Sequence, residues 1–191
     1  MTASRTYRAP RPAELDEEQR GVRATVLEGS RAPQRALLRL EDDEERLLGP
    51  FGLALLSPGI GSRSLAVGAA FRAASVLTAR GREIAILTVA AVTGCSYERY
   101  AHAAVGRSAG LTEEEVAALL DGRFPGRDAV ERAVHGIALA YLAASSGEGP
   151  ALPEEAVAVL DDRALYELVM LLGHYRSLAL AMDVFGVGAP R

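Results

Sequence analysis

The stretch Glu83-Ile84-Ala85-Ile86-Leu87-Thr88-Val89-Ala90-Ala91-Val92-Thr93-Gly94-Cys95-Ser96-Tyr97-Glu98-Arg99-Tyr100-Ala101-His102 decides how the chain is read. Its first half is a strongly apolar run opened by a carboxylate, and its second half alternates small, aromatic and titratable residues after a glycine. Gly94 is a natural helix stop, so the spacing predicts one helix from Glu83 to Gly94 and another from Cys95 or Ser96 to Gly110. On the second helix Cys95, Glu98 and His102 lie at i, i+3 and i+7, which puts them along one face. A cysteine at a helix N-terminus sits among unpaired amide groups that favour the thiolate, so a lowered thiol pKa is expected. His102 can exchange protons near neutral pH, Glu98 can orient it or act as base, and Tyr97 and Tyr100 add hydroxyls.

Outward from this stretch, apolar residues recur at three- and four-residue spacings, and alanine, leucine, glutamate and arginine dominate. The domain is therefore read as all-α. An arm over 1–12, with Pro10 and Pro12, is expected to be extended, with one helical domain over 13–191. Asp16 with Gln19 forms a capping-box pattern opening a helix that ends near Gly29. The acidic run Glu41 to Glu45 reads as a solvated face or loop. Ser57-Pro58-Gly59 reads as loop punctuation before a helix from about Ser64 to Ala79, with Leu65, Ala69, Val76 and Leu77 toward a core and a break at Arg80-Gly81. Thr112 with Glu115 is the clearest cap in the chain, and Leu111 can staple to Val116. Longer helices are expected over Arg127 to Ala144 and Asp161 to Phe185, separated by the linker Ser145 to Pro150 and a short helix from about Pro153.

Composition removes several chemistries. The 191 residues carry a formal net charge of -4, and the 21 basic residues are all arginine. Without lysine there is no Schiff-base anchor and no P-loop lysine. The balance offers no footprint for nucleic acid. The longest apolar stretch, Ile84 to Val92, is well short of the roughly 18 residues a membrane span needs, so no membrane partner is expected. The arginine-bearing N-terminus lacks an apolar core, which predicts a cytoplasmic protein, and arginine without lysine suggests a GC-rich bacterial genome. One cysteine cannot close an intramolecular disulfide. The three histidines show no metal-ligand spacing, so neither a metal nor another cofactor is expected, and His135 is read as structural. Arg72, Arg99 and Arg107 are candidates to hold a substrate carboxylate.

Arg82-Glu83-Ile84, Thr93-Gly94-Cys95-Ser96-Tyr97-Glu98, His102 and Ala109-Gly110-Leu111-Thr112-Glu113-Glu114 together resemble the carboxymuconolactone decarboxylase family, which includes the alkylhydroperoxidase D proteins. The likeness covers Leu47 to Gly122, with a weaker one at Leu172-Gly173-His174-Tyr175 and Val184-Phe185-Gly186-Val187. The resemblance implies an alkylhydroperoxidase-D-like helical bundle assembling as a homo-oligomer, a trimer or hexamer. It matches Glu83, Cys95 and His102 to the glutamate, first cysteine and histidine of the peroxidase branch, with Glu98 where the second cysteine stands. No resolving thiol remains within the chain, so the expected chemistry is Glu/His acid–base work on a small organic acid, as a lyase or isomerase, with Glu83 or Glu98 as base, His102 as proton donor and Cys95 lining the site. Tyr97, Arg99, His174 and Tyr175 are the expected substrate contacts. The alternatives are a thiol peroxidase using Cys95 (peroxiredoxin activity) and a non-catalytic oligomeric ligand-binding protein.

Overall fold

The computed structural model describes residues 6–28, 36–144, 149 and 151–190. Among these there are nine α-helices and no strand, only an isolated bridge between Glu41 and Leu47. Helices α1 (Glu17–Glu28), α2 (Gly49–Leu53) and α3 (Pro58–Ala74) come first. Then follow α4 (Ala79–Thr93), α5 (Ser96–Ser108), α6 (Glu113–Leu120) and α7 (Ala129–Ala143), and the chain closes with the short α8 (Glu154–Val157) and the long α9 (Asp162–Val184).

Helix α4 is the axis of the bundle. Every residue from Glu83 to Ala90 is buried, because α5, α6, α7 and α9 surround it. A helix that is apolar on all sides is stable only in such a position. Burying Ile84, Leu87 and Val89 in full contributes up to about 2 kcal/mol per side chain. These residues join Leu119, Val134, Ile137, Leu168 and Leu172 in one apolar cluster, and a second one gathers Val26, Phe51, Leu55, Tyr97 and Met182. Leu178 of α9 packs against both.

Local signals explain the ends of these helices. Asp16 accepts from the Gln19 amide at 2.8 Å while the Gln19 side chain accepts from the Asp16 amide at 3.1 Å, so the capping box is complete. Thr112 and Glu115 form a second one, at 3.2 and 2.8 Å, and Leu111 and Val116 are both buried beside it. Gly94 ends α4 in the left-handed region at φ 68°, which a residue with a Cβ adopts only at a cost.

Three expectations are corrected. Helix α3 begins at Pro58, not near Ser64: Ser57-Pro58-Gly59 is a helix start, because proline at the first helical position has no amide proton to leave unsatisfied. The helix ends at Ala74, and Val76 lies in the exposed link to α4, 45% accessible. Arg80-Gly81 is not a break but the first turn of α4, capped by the Thr78 hydroxyl, which accepts from the Gly81 amide at 2.9 Å. Arg80 is held there by Glu115 at 3.1 Å and Glu131 at 2.8 Å. The acidic run is a loop, as expected, yet it is not merely solvated. Asp42 accepts from the amides of Glu44 and Arg46, both at 2.9 Å, and Arg8, Arg23, Arg39 and Arg46 pair with the run's carboxylates.

The arm is extended through Arg11, and Pro12 opens a 3-10 turn to Glu14. Tyr7 donates its amide to the Phe185 carbonyl at 2.7 Å, its hydroxyl to the Gly52 carbonyl at 3.3 Å, and sets its ring edge-on to Phe185. The predicted end of the first helix at Gly29 and most of the linker from Ser145 to Pro150 lie outside the described residues. No described helix is long and apolar enough to cross a membrane.

Candidate functional site

A cavity of about 230 Å³ opens along the seam between the two apolar clusters. Its walls come from α2, α3, α4, α5 and α9, with Phe51, Leu65, Tyr97, Ala101, Tyr175 and Leu178 among them. The polar side chains gather at one place. His102 of α5 points its ring between two carboxylates, with Nδ1 at 2.7 Å from Glu83 Oε2 and Nε2 at 3.2 Å from Glu98 Oε2.

The helices dictate this arrangement. Glu98 and His102 are four apart on α5, one above the other. Glu83 reaches them from the first turn of α4, and Gly106 lets α5 approach closely: a Cβ there would stand 2.9 Å from Leu111 and 3.3 Å from Leu87. The Tyr175 ring from α9 sits edge-on to the imidazole, centroids 5.0 Å apart at 89°. His174 packs against Tyr175 and Phe71.

Both ring nitrogens of His102 face carboxylate oxygens, and only the doubly protonated imidazolium donates in both directions. Burial opposes that charge, but Glu83 and Glu98 outweigh it and push the pKa up to about 10. The imidazole is therefore held in its protonated form at neutral pH. Glu98 is 2% exposed, and its second oxygen, Oε1, is buried with no hydrogen-bond partner. A buried carboxylate oxygen without a donor costs about 1–3 kcal/mol or more. Glu98 is one of the residues lining the cavity, and a buried acceptor without a donor there calls for a role.

Of the residues predicted from sequence, the structure brings together Glu83, Glu98, His102, Tyr97, His174 and Tyr175 on this cavity. It separates two others from it. Cys95 is absent from the lining: it is the residue before α5, with extended backbone at φ -65°, ψ 106°, so the helical i, i+3, i+7 relation does not extend to it. Its thiol is not activated either. Burial and the Glu98 carboxylate push its pKa up, outweighing the amide groups of Glu98 and Tyr97 that pull it down. Arg99 turns the other way and caps α4, donating to the carbonyls of Ala90 at 3.3 Å and Ala91 at 3.1 Å. Arg107 pairs with Glu113 at 2.5 Å on the surface, and the Tyr100 hydroxyl accepts from the Arg39 amide. Only Arg72 of the three candidate clamps lines the cavity.

His135 is structural. The Thr88 hydroxyl donates to the Ile84 carbonyl at 2.7 Å, so it accepts from His135 Nδ1 at 3.0 Å, and burial keeps that imidazole's pKa down. Among the described residues no group of three or more His, Cys, Asp and Glu side chains is arranged to hold a metal ion. Apart from Tyr97 and Tyr175, the apolar walls of the cavity were not named from sequence. Tyr97, Ala101 and Val105 share one face of α5 at four-residue spacing and carry a readable signal, whereas Phe51 and Leu178 arrive through long-range packing.

Residues 63–141 match the sequence model of the carboxymuconolactone decarboxylase family, a span that contains Arg72, Glu83, Glu98 and His102. A comparison with curated proteins gave no match.

Proposed function

From the carboxymuconolactone decarboxylase family domain that this chain carries over residues 63–141, we propose that the cavity is the active site of a lyase or isomerase that moves protons on a small organic acid. The observation that carries this reading is the buried, partnerless Glu98 Oε1 beside an imidazolium held by Glu83.

Glu98 Oε1 takes a proton from a C–H next to a carbonyl of the substrate, and the electron pair of that bond moves into the carbonyl as an enolate. The His102 imidazolium lines the same cavity, and its Nε2–H, the longer of its two carboxylate contacts, turns from Glu98 to the substrate and supplies the proton that completes the change. In a decarboxylation the pair of the breaking C–C bond stays on the substrate as an enolate, carbon dioxide leaves, and the imidazolium proton goes to carbon. Glu83 holds Nδ1 and keeps the ring oriented as its charge changes. The apolar walls exclude water and strengthen each of these interactions.

Deuterium uptake from D2O into a panel of small 2-oxo acids, 3-oxo acids and carboxylated lactones, followed by NMR, tests the chemistry. Glu98→Gln and His102→Gln are each expected to lower the rate by about 100-fold or more, with Cys95→Ser close to wild type. Full exchange in both cavity variants together with loss in Cys95→Ser would reject the reading. A thiol peroxidase has less support, since Cys95 lies off the cavity and its thiol is pushed up. A non-catalytic binding protein would exchange no deuterium in any variant.

A further inference from the structure

Arg72 is the charged group on the cavity wall that the proton-transfer chemistry leaves unused. It stands in the last turn of α3. The inward face of that helix runs Gly61, Leu65, Gly68, Arg72 at spacings of four, three and four, with the first three buried. A guanidinium thus occupies a place where the pattern calls for an apolar side chain. Burial works against its charge, and the Tyr175 hydroxyl and Glu83 offset part of that cost.

The charges on the lining then balance. Arg72 and the His102 imidazolium face Glu83 and Glu98, a formal sum of zero. Both N–H groups of His102 already point at carboxylates. A guanidinium has five N–H donors in a planar fork, more than one partner uses, and that fork matches a carboxylate. A ligand with one negative charge can pair with Arg72 in this neutral cavity, whereas a dianion would bring a second charge with no partner.

We propose that Arg72 anchors the substrate by its carboxylate, and that the cavity selects small, largely apolar monoanionic acids whose far end meets Glu98 Oε1 and His102. The carboxylate anchor stands on the cavity's charges; the orientation of the far end rests on the proton-transfer reading above.

Benzoate and benzamide share a shape and differ in charge, and phenyl phosphate adds the second charge. Titrated into the full chain at neutral pH and followed by NMR, benzoate is expected to bind at least about tenfold more tightly than either of the others. Arg72→Gln should erase the preference for benzoate over benzamide and leave benzamide binding as it was. Arg72→Lys should keep part of it, because the charge remains while the fork is lost. Should Arg72→Gln not fold, Arg72→Lys and the wild-type comparison decide. Equal binding of benzoate and benzamide, no binding of benzoate, phenyl phosphate binding as tightly as benzoate, or a preference that survives in Arg72→Gln would each overturn the assignment. Glu98→Gln separates the two readings: loss of deuterium exchange in that variant, with benzoate preference unchanged in Arg72→Gln, would reject the anchor and keep the chemistry.

Discussion

Replacing Glu83 by glutamine keeps the shape of the side chain and removes the charge that faces His102 Nδ1 at 2.7 Å. With Glu83 and Glu98 in place the imidazole is held from its ordinary 6.5 up to about 10. At roughly 1.4 kcal/mol per pKa unit, that difference sets a ceiling on the order of 5 kcal/mol for what the charged His102 adds to stability. A group whose folded pKa is raised binds its proton more tightly in the native state than in the unfolded one. The contribution is therefore complete below about pH 6.5 and disappears as pH rises through about 10. In Glu83→Gln burial acts against the charge with only Glu98 to oppose it, so the imidazole should titrate well below its wild-type value and the slope of stability between those limits should flatten. Long-range proton–nitrogen NMR of the His102 ring follows the titration, and urea midpoints between about pH 6 and about pH 10 follow the stability. A wild-type ring that titrates near its ordinary value, or an unchanged stability slope in Glu83→Gln, would refute the reasoning.

Two further outcomes concern the scaffold. Arg80→Met removes the guanidinium shared by Glu115 and Glu131, which are 16% and 10% exposed, and leaves them the Arg127 side chain and amide as remaining donors, so it should cost about 1–3 kcal/mol by chemical denaturation. Arg80 also holds the Glu115 carboxyl down to about 2, so the wild type should lose stability as pH falls from about 4.5 through about 2, and the variant should lose less over that window. Gly49→Ala places a Cβ inside the Tyr97 ring at a backbone φ of 59°, and both faults together should cost about 3 kcal/mol or more and loosen the wall of the cavity. Stability and benzoate binding equal to wild type in that variant would show that Tyr97 is not held against this turn.

What was legible in the sequence was local. The caps at Asp16 and Thr112 and the stop at Gly94 are written in residues a few positions apart, and their hydrogen bonds form within one turn. The pairing of Glu98 with His102 follows from a four-residue spacing in the same way. Misreadings arose where a local signal had two meanings. Ser57-Pro58-Gly59 ends a loop or starts a helix with equal ease, and packing of Leu65 and Gly61 decided for the helix. Arg80-Gly81 resembles a break until Glu115 and Glu131, from two other helices, neutralise the arginine. Cys95 is the residue before α5, a start that the sequence leaves open between Cys95 and Ser96, and its absence from the cavity lining is a matter of packing that the helical spacing does not carry. Arg99 and Arg72 were indistinguishable as sequence, since only the packing of α5 against α4 and of α3 against α9 shows that one caps a neighbour while the other lines the site.

The clasp between Tyr7 and Phe185 joins the part of the chain made early to the part made late. During synthesis at about 5–20 residues per second, the arm leaves the ribosome on the order of ten seconds or more before its carbonyl partner exists. Over that interval Ala9 and Leu15, both buried in the finished fold, lack Met182 of α9, a member of the same apolar cluster. The cavity is delayed in the same way, because Tyr175 and Leu178 belong to the last helix. A chain halted before α9 would hold Glu83, Glu98 and His102 with one wall of the cavity missing, so the closing helix completes the cavity as well as the core.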